Sequence, residues 1–257
     1  MATEAQSRGS GRMGHSPVDE ANTLTFDVFS TILDPSSSLV SAATRFIQTK
    51  GMETDADDFS ARWLARQRIE QLQESLTMTG HTGYIQASRR ALVHTLHGEG
   101  VEFTDDEVAE VLELWWELNP FEDSVEALGR LGEHYRLAIL SNGDVDLLAH
   151  LVSERICVKF DTVVSAQQAG AFKPHPAVYR TAARFLDSEP RRLMMATAHS
   201  IDVIGARACG FRAAWVNRGA LPFDETRYRP DIITDDLAGL ASSLLDGVAR
   251  TPVHEVA

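Results

Sequence analysis

Two carboxylates and one lysine carry most of the chemical signal in this 257-residue chain. Asp27 follows the apolar run Leu24-Thr25-Phe26 and leads into Val28-Phe29-Ser30-Thr31. An aspartate at the carboxyl end of the first strand of an open α/β sheet faces the crevice where such sheets bind ligands. The loop Phe26 to Thr31 is therefore a candidate nucleophile loop, although on this stretch alone a capping aspartate is the better explanation. Three further apolar runs end in polar groups: Ser141 with Asn142, the His199 to Asp202 segment, and Asn217 with Arg218. Lys173 lies just after another. Taken singly, these are a turn, a helix cap, a buried histidine with its partners satisfied, or a solvated cation. Taken together, with one lysine to neutralise two carboxylates, they are better explained as a site. A carboxylate nucleophile attacks carbon or phosphorus to give an ester that water then cleaves.

These residues meet only if a parallel sheet brings the strand ends to one crevice. The pattern predicts such a sheet. Strands are expected near Leu24–Phe26, Leu137–Leu140, Phe160–Ser165, Leu193–Thr197, Ala213–Val216 and Ile232–Ile233, with helices between them from Ser124 onward. Alternating strands and helices give an α/β, doubly wound parallel sheet. Between Asp27 and the second strand, roughly eighty residues read as helix only. Ser38 is the expected cap of a helix over Leu39–Thr49, closed by Gly51. Helices follow over Asp55–Leu76 and Tyr84–Leu96, and Thr104 with Glu107 has capping-box spacing before a fourth. That block reads as a helical insertion over 37–118, set into a core formed by 23–36 and 119–250. Residues 1–22 read as a polar leader without the apolar centre of a signal peptide, and 251–257 as a tail.

Composition excludes several classes. A net charge of −13 and the absence of a basic run argue against nucleic acid as a partner. No apolar run has the length of a bilayer span. Two cysteines, neither in a Cys-x-x-Cys pattern, suit a reducing cytoplasm. There is no glycine-rich phosphate loop, no G-x-S-x-G elbow and no zinc-ligand spacing.

In order, the motifs resemble those of the haloacid dehalogenase superfamily, most closely its 2-haloacid dehalogenase branch. Asp27-Val28-Phe29-Ser30-Thr31 is similar to the family's D-x-Y-G-T loop and Leu140-Ser141-Asn142-Gly143 to its L-S-N-G strand end. Lys173-Pro174, with Tyr179 six residues after the lysine, resembles the family's Lys-Pro helix start. Ala196 to Ala206, keeping Asp202, Gly205 and Ala206, resembles its S-S-N-x-x-D-x-x-G-A segment, and Trp215 to Arg218 its final strand. The resemblance implies a Rossmann-like core with an all-helical cap and, as an expectation, a homodimer.

It also implies a mechanism. Asp27 attacks a halogen-bearing carbon, Asp202 helps to activate water, and Lys173 holds Asp27 ionised. Thr31, Ser141 and Asn142 bind the substrate carboxylate or the nucleophile's oxygens. Tyr179 borders the pocket, and Phe29 and Thr197 complete the substrate-contacting set. The family's phosphatases carry a second aspartate two residues after the nucleophile and a magnesium-binding acid four residues before the last motif's aspartate. These positions are Phe29 and Ala198 here. Both changes favour displacement at carbon, with no metal or other cofactor, on a short 2-haloacid. The alternatives are another carbon or phosphate-ester substrate, or a binding protein of the same fold. Three departures stand out. His199 replaces an asparagine and reads as a second base or a structural donor. Ser30 replaces a glycine. Leu64 follows Trp63 where the family has a halide-binding arginine, leaving Arg66 or Arg62 as substitutes.

Overall fold

The structure is a computed structural model that describes residues 20–224 and 226–246. Most of the expected leader and all of the expected tail lie outside the described residues. In chain order the first elements are β1 (Thr23–Phe26), β2 (Leu33–Asp34), α1 (Pro35–Lys50), α2 (Ala56–Thr77), α3 (Tyr84–Glu99), α4 (Asp105–Leu112) and β3 (Asn119–Pro120). Then come α5 (Ser124–Gly132), β4 (Arg136–Ser141), α6 (Val145–His150), β5 (Thr162–Ser165), α7 (Pro176–Phe185), β6 (Leu193–Thr197), α8 (Ser200–Ala208), β7 (Arg212–Val216), β8 (Ile232–Thr234) and α9 (Leu237–Leu245). Among the described residues, no helix is long and apolar enough to cross a membrane.

Six strands form one parallel sheet in the order β5-β4-β1-β6-β7-β8. The chain winds outward from β1 in both directions, which is the α/β, doubly wound class that the alternating pattern predicts. Both faces are buried, so the strands read as nearly unbroken apolar runs. Leu24, Phe26, Ile139, Met194 and Ala196 point into one core layer, and Ala138, Leu140, Leu193 and Met195 into the other. Phe26 lies opposite Ile139 on one side and Ala196 on the other. That register puts Asp27 level with the ends of β4 and β6, where Ser141 and Thr197 lie.

α1 to α4 separate β1 from the rest of the sheet. They leave and rejoin it through the antiparallel pair β2 and β3, a short ribbon that the apolar pattern does not announce. Asp34 caps α1, its carboxylate accepting from Ser36 N at 2.9 Å with Pro35 in the first turn. The expected cap, Ser38, lies inside the helix. Proline's fixed φ suits a helix start, so the helix begins four residues before Leu39, the first position of the expected helix. Gly51 ends α1 in the left-handed region, and Thr104 and Glu107 form the expected capping box. α4 tightens into a 3-10 turn over Glu113–Trp116 instead of continuing as α-helix.

One close approach ties the sheet to the site. A Cβ on Gly205 of α8 would lie 2.5 Å from the Tyr179 hydroxyl and 2.7 Å from Pro174 Cβ. Gly205→Ala is expected to destabilise the fold by about 1–3 kcal/mol through overpacking. Thermal melts check this, and an unchanged melting temperature would mean that α7 and α8 separate freely.

Candidate active site

The polar strand ends meet in a cleft of about 890 Å³, counted out to its open mouth. Its floor is Asp27, Asn142, Lys173, His199 and Asp202; its walls include Phe29, Tyr84, Trp115, Leu64 and Leu72. The walls come from the nucleophile loop, α2, the start of α3 and the turn after α4. Phe29 stacks on Tyr84 with ring centroids 4.3 Å apart and meets Trp115 edge-on.

Lys173 is the centre of the floor. Its ammonium donates to Asp27 Oδ1 at 2.9 Å, Asp202 Oδ2 at 2.7 Å and the Leu140 carbonyl at 2.8 Å, which uses all three N–H groups. Burial alone would favour the neutral amine. The two carboxylates outweigh that effect and raise its pKa above the ordinary lysine value. The second Asp202 oxygen accepts the Tyr179 hydroxyl at 2.6 Å. Burial, with the Asp202 charge behind it, pushes the Tyr179 phenol well up, so it stays a donor. Asp27 Oδ2 accepts from Thr31 Oγ1 at 3.2 Å, and that hydroxyl accepts from Ala198 N at 2.9 Å. Ser30 holds a left-handed φ of 64°, a region that glycine enters freely and serine does not, so the departure from glycine leaves strain beside Asp27.

Several residues stand elsewhere than expected. Tyr179 is fully buried behind Asp202 and does not border the cleft. Thr197 is buried too; its hydroxyl accepts from His199 N at 3.2 Å. Ser141 is fully buried, outside the cleft lining, with its hydroxyl unpartnered among the described residues. Asn142 faces the cleft but its amide is occupied: Oδ1 accepts from Lys173 N at 2.8 Å and Nδ2 donates to Gln71 Oε1 at 3.1 Å. Arg218 pairs with Asp123 and lies over the Phe121 ring.

The two expected cap arginines are also occupied outside the cleft. Arg66 binds Glu70 at 2.5 Å and Arg62 binds Glu99 at 2.5 Å. Besides Lys173, the cation that lines the cleft is Arg68, one helical turn beyond Leu64, with no ion pair or hydrogen bond among the described residues. Leu64, Gln67, Arg68, Gln71 and Leu72 share one face of α2, the spacing that marks a helical stripe. That periodicity is in the sequence, but its polar members hide it from a search for apolar residues. Tyr84 was missed for a similar reason, because a helix-opening tyrosine looks structural. Burial drives its pKa above the phenol range.

A divalent cation fits this donor set poorly. The oxygens free to hold one beside the nucleophile are Asp27 Oδ2 and the Phe29 carbonyl. The His199 imidazole stands against both, its Nε2 at 3.8 Å from the first and 3.2 Å from the second. Ala198 and the Phe29 side chain add no oxygen, whereas magnesium demands a near-octahedral oxygen shell.

Removing Lys173 leaves two carboxylates buried without a counter-ion. Lys173→Met is expected to cost about 3–5 kcal/mol of stability in urea unfolding at neutral pH. The raised lysine pKa fixes the sign with pH. Its contribution is complete below the unfolded lysine value of about 10.4 and disappears as pH rises through the higher folded value. The gap between wild type and variant should therefore narrow at alkaline pH. A gap independent of pH would contradict the charge assignment.

Comparison with known proteins places this geometry. Residues 21–210 match the haloacid dehalogenase-like hydrolase family. The chain is 28% identical over 210 residues to haloacetate dehalogenase H-2 of Moraxella sp. (strain B), covering 81% of this chain and 91% of that protein. It is 28% identical over 225 residues to (S)-2-haloacid dehalogenase H-109 of Pseudomonas putida, covering 87% and 97%. The structure of L-2-haloacid dehalogenase from Xanthobacter autotrophicus superimposes with a TM-score of 0.78 at 25% identity, over 89% of this chain and all of that one. The same enzyme with chloropropionic acid covalently bound gives 0.77 at 25% identity. With its parallel core, its inserted helices and an aspartate paired to a buried lysine, the chain belongs to the haloacid dehalogenase-like hydrolase family.

Proposed function

We propose that this hydrolase cleaves the carbon–halogen bond of short (S)-2-haloacids through an aspartyl ester, without a metal. The observation that carries the reading is the asymmetry of Asp27. Lys173 holds Oδ1, while Oδ2 has Thr31 and the open cleft. A carboxylate so held is aimed, and Oδ2 is the oxygen free to attack. As Oδ2 bonds to the substrate carbon, the carbon–halogen bond breaks and the halide leaves with its electron pair. No proton is needed, which suits a loop with Phe29 where an acid would stand. When water later attacks Asp27 Cγ, negative charge grows on Oδ1 directly against the Lys173 ammonium. Collapse breaks the Cγ–Oδ2 bond, so Oδ2 leaves as the hydroxyl oxygen of the 2-hydroxyacid product.

The names of the relatives agree with this substrate class, as does the chloropropionic acid adduct of the Xanthobacter enzyme. In this reading the helical segment 37–118 is a cap, and Arg68 is its anion-facing group, meeting the departing halide or the substrate carboxylate. Phe29, Tyr84 and Trp115 keep water from competing with the carboxylate for the carbon.

Halide release from chloro-, bromo- and fluoro-2-acids, with and without EDTA, is the direct test. Release that EDTA does not slow is expected, and none from Asp27→Asn. Magnesium-dependent phosphate release from ester substrates would overturn the reading, and no turnover of either kind would favour a binding protein. A single turnover in ¹⁸O-water should label Asp27 and leave the product unlabelled. Arg68→Gln is expected to lower kcat/KM by about 10–100-fold, the worth of one charge-assisted hydrogen bond. An unchanged kcat/KM would remove Arg68 from the site.

A further inference from the structure

Ester hydrolysis needs a base, and the hydrogen bonds on the floor leave few groups free to act as one. Asp202 lies closest in kind, but Lys173 occupies one of its oxygens at 2.7 Å and Tyr179 the other at 2.6 Å. Lys173 has spent its three donors and keeps its proton. Tyr84 is buried and held protonated, and Arg68 is a permanent cation. Asp27 is itself the esterified residue. His199 is the remaining titratable group in the cleft lining.

Its ring is already oriented for the task. Nε2 lies 3.2 Å from the Phe29 carbonyl, which can only accept, so the proton of the neutral imidazole sits on Nε2. The lone pair is then on Nδ1. That atom has no hydrogen-bond partner among the described residues and is not among the enclosed unpartnered atoms. A fixed tautomer on one nitrogen with a free lone pair on the other is how an oriented base is built. Nε2 is 3.8 Å from Asp27 Oδ2, so the ring stands beside the carboxylate that carries the ester.

We propose that His199, rather than Asp202, is the general base of the hydrolytic half-reaction, with Asp202 as the residue that positions Lys173. This rests on the dehalogenase reading above. Nδ1 takes a proton from water as the water oxygen bonds to Asp27 Cγ, and the carbonyl electron pair moves to Oδ1 beside Lys173. When the Cγ–Oδ2 bond breaks, the imidazolium returns that proton to the leaving alkoxide. The other water proton stays on the regenerated carboxyl and is lost to solvent. The Phe29 carbonyl holds the Nε2–H of the transient imidazolium.

The test separates the two half-reactions. In rapid-quench experiments with 2-bromopropionate, His199→Gln keeps an N–H donor without a base. It should release about one halide per site at the wild-type rate and then stall, with steady-state kcat down by about 10²–10⁴-fold. Intact-mass measurement should show the propionate adduct accumulating on Asp27. His199→Ala should behave alike and regain turnover when imidazole is added. Full kcat in the glutamine variant, or loss of the first halide equivalent in a folded variant, would overturn the proposal while leaving the dehalogenase reading standing. Wild-type protein that releases no halide from any 2-haloacid would instead remove the reading on which the proposal rests.

Discussion

Everything in this fold that bears on chemistry depends on one buried cation between two carboxylates. Lys173 is 8% exposed, Asp27 4% and Asp202 3%, so three charges have left water together. Such a group is stable only when every donor and acceptor is used, because an unpaired buried charge costs more than the pair gains. The three N–H groups of Lys173 and both oxygens of Asp202 are accounted for. Asp27 Oδ2 is the most loosely held of these oxygens, with one hydroxyl at 3.2 Å and no contact to the ammonium within hydrogen-bond distance. Reactivity is located where the network is incomplete. The sheet makes this possible by bringing the ends of β1, β4 and β6 to one level, so that loops distant in sequence can share one ammonium.

The same network bears on what Asp27, as the proposed nucleophile, can attack. Asp27 and Asp202 already consume the charge of Lys173, so the floor has little left to offer a phosphate dianion. Arg68, the other cation of the cleft, sits on the far wall. Around the open oxygen stand a phenylalanine, a tyrosine and a tryptophan in contact with one another. An apolar surround strengthens a carboxylate as a nucleophile towards neutral carbon and raises the cost of bringing in a second anion. A monoanionic haloacid, the proposed substrate, is a compromise suited to such a site, with Arg68 of α2 in the cleft lining.

The strand ends were legible in the sequence because a parallel sheet imposes a simple rule: a buried apolar run stops where its polar residue meets the crevice. Asp27, Lys173, His199 and Asp202 all obey it, and so does the doubly wound class. The helical insertion obeys a weaker one. A helix facing a polar cleft has no apolar stripe on that face, so α2 buries Gln67, Gln71, Glu74 and Ser75 beside Phe59 and Trp63. Its rotation is therefore not fixed by the pattern, which points to Arg66 or Arg62 where Arg68 faces the cleft. Tyr179 was misplaced for a different reason: sequence spacing from Lys173 says that the two are near, not which side of Asp202 the ring takes. The β2–β3 ribbon was invisible because two-residue strands have no periodicity.

Those polar residues of α2 also fix how the insertion sits on the core. Gln71 accepts from Asn142, and the Ser75 hydroxyl exchanges hydrogen bonds with the backbone of Phe172. His81 stacks on Phe172 and bonds the Asn142 carbonyl, while the Asp144 carboxylate caps α3 through Tyr84 N and Ile85 N. Burial lowers the His81 pKa, which keeps the ring neutral in that contact. The core partners in this seam are Asn142 and Asp144, in the loop that follows β4, and Phe172, the immediate neighbour of Lys173. An apolar seam would tolerate sliding, because hydrophobic contact is not directional. This one has discrete partners, so α2 and the Lys173 loop hold one relative position. Asn142 links them directly, with one end of its amide on Lys173 N and the other on Gln71. The wall that carries Arg68 is thereby set against the floor that carries Asp27 by the same residues that shape the surroundings of that carboxylate.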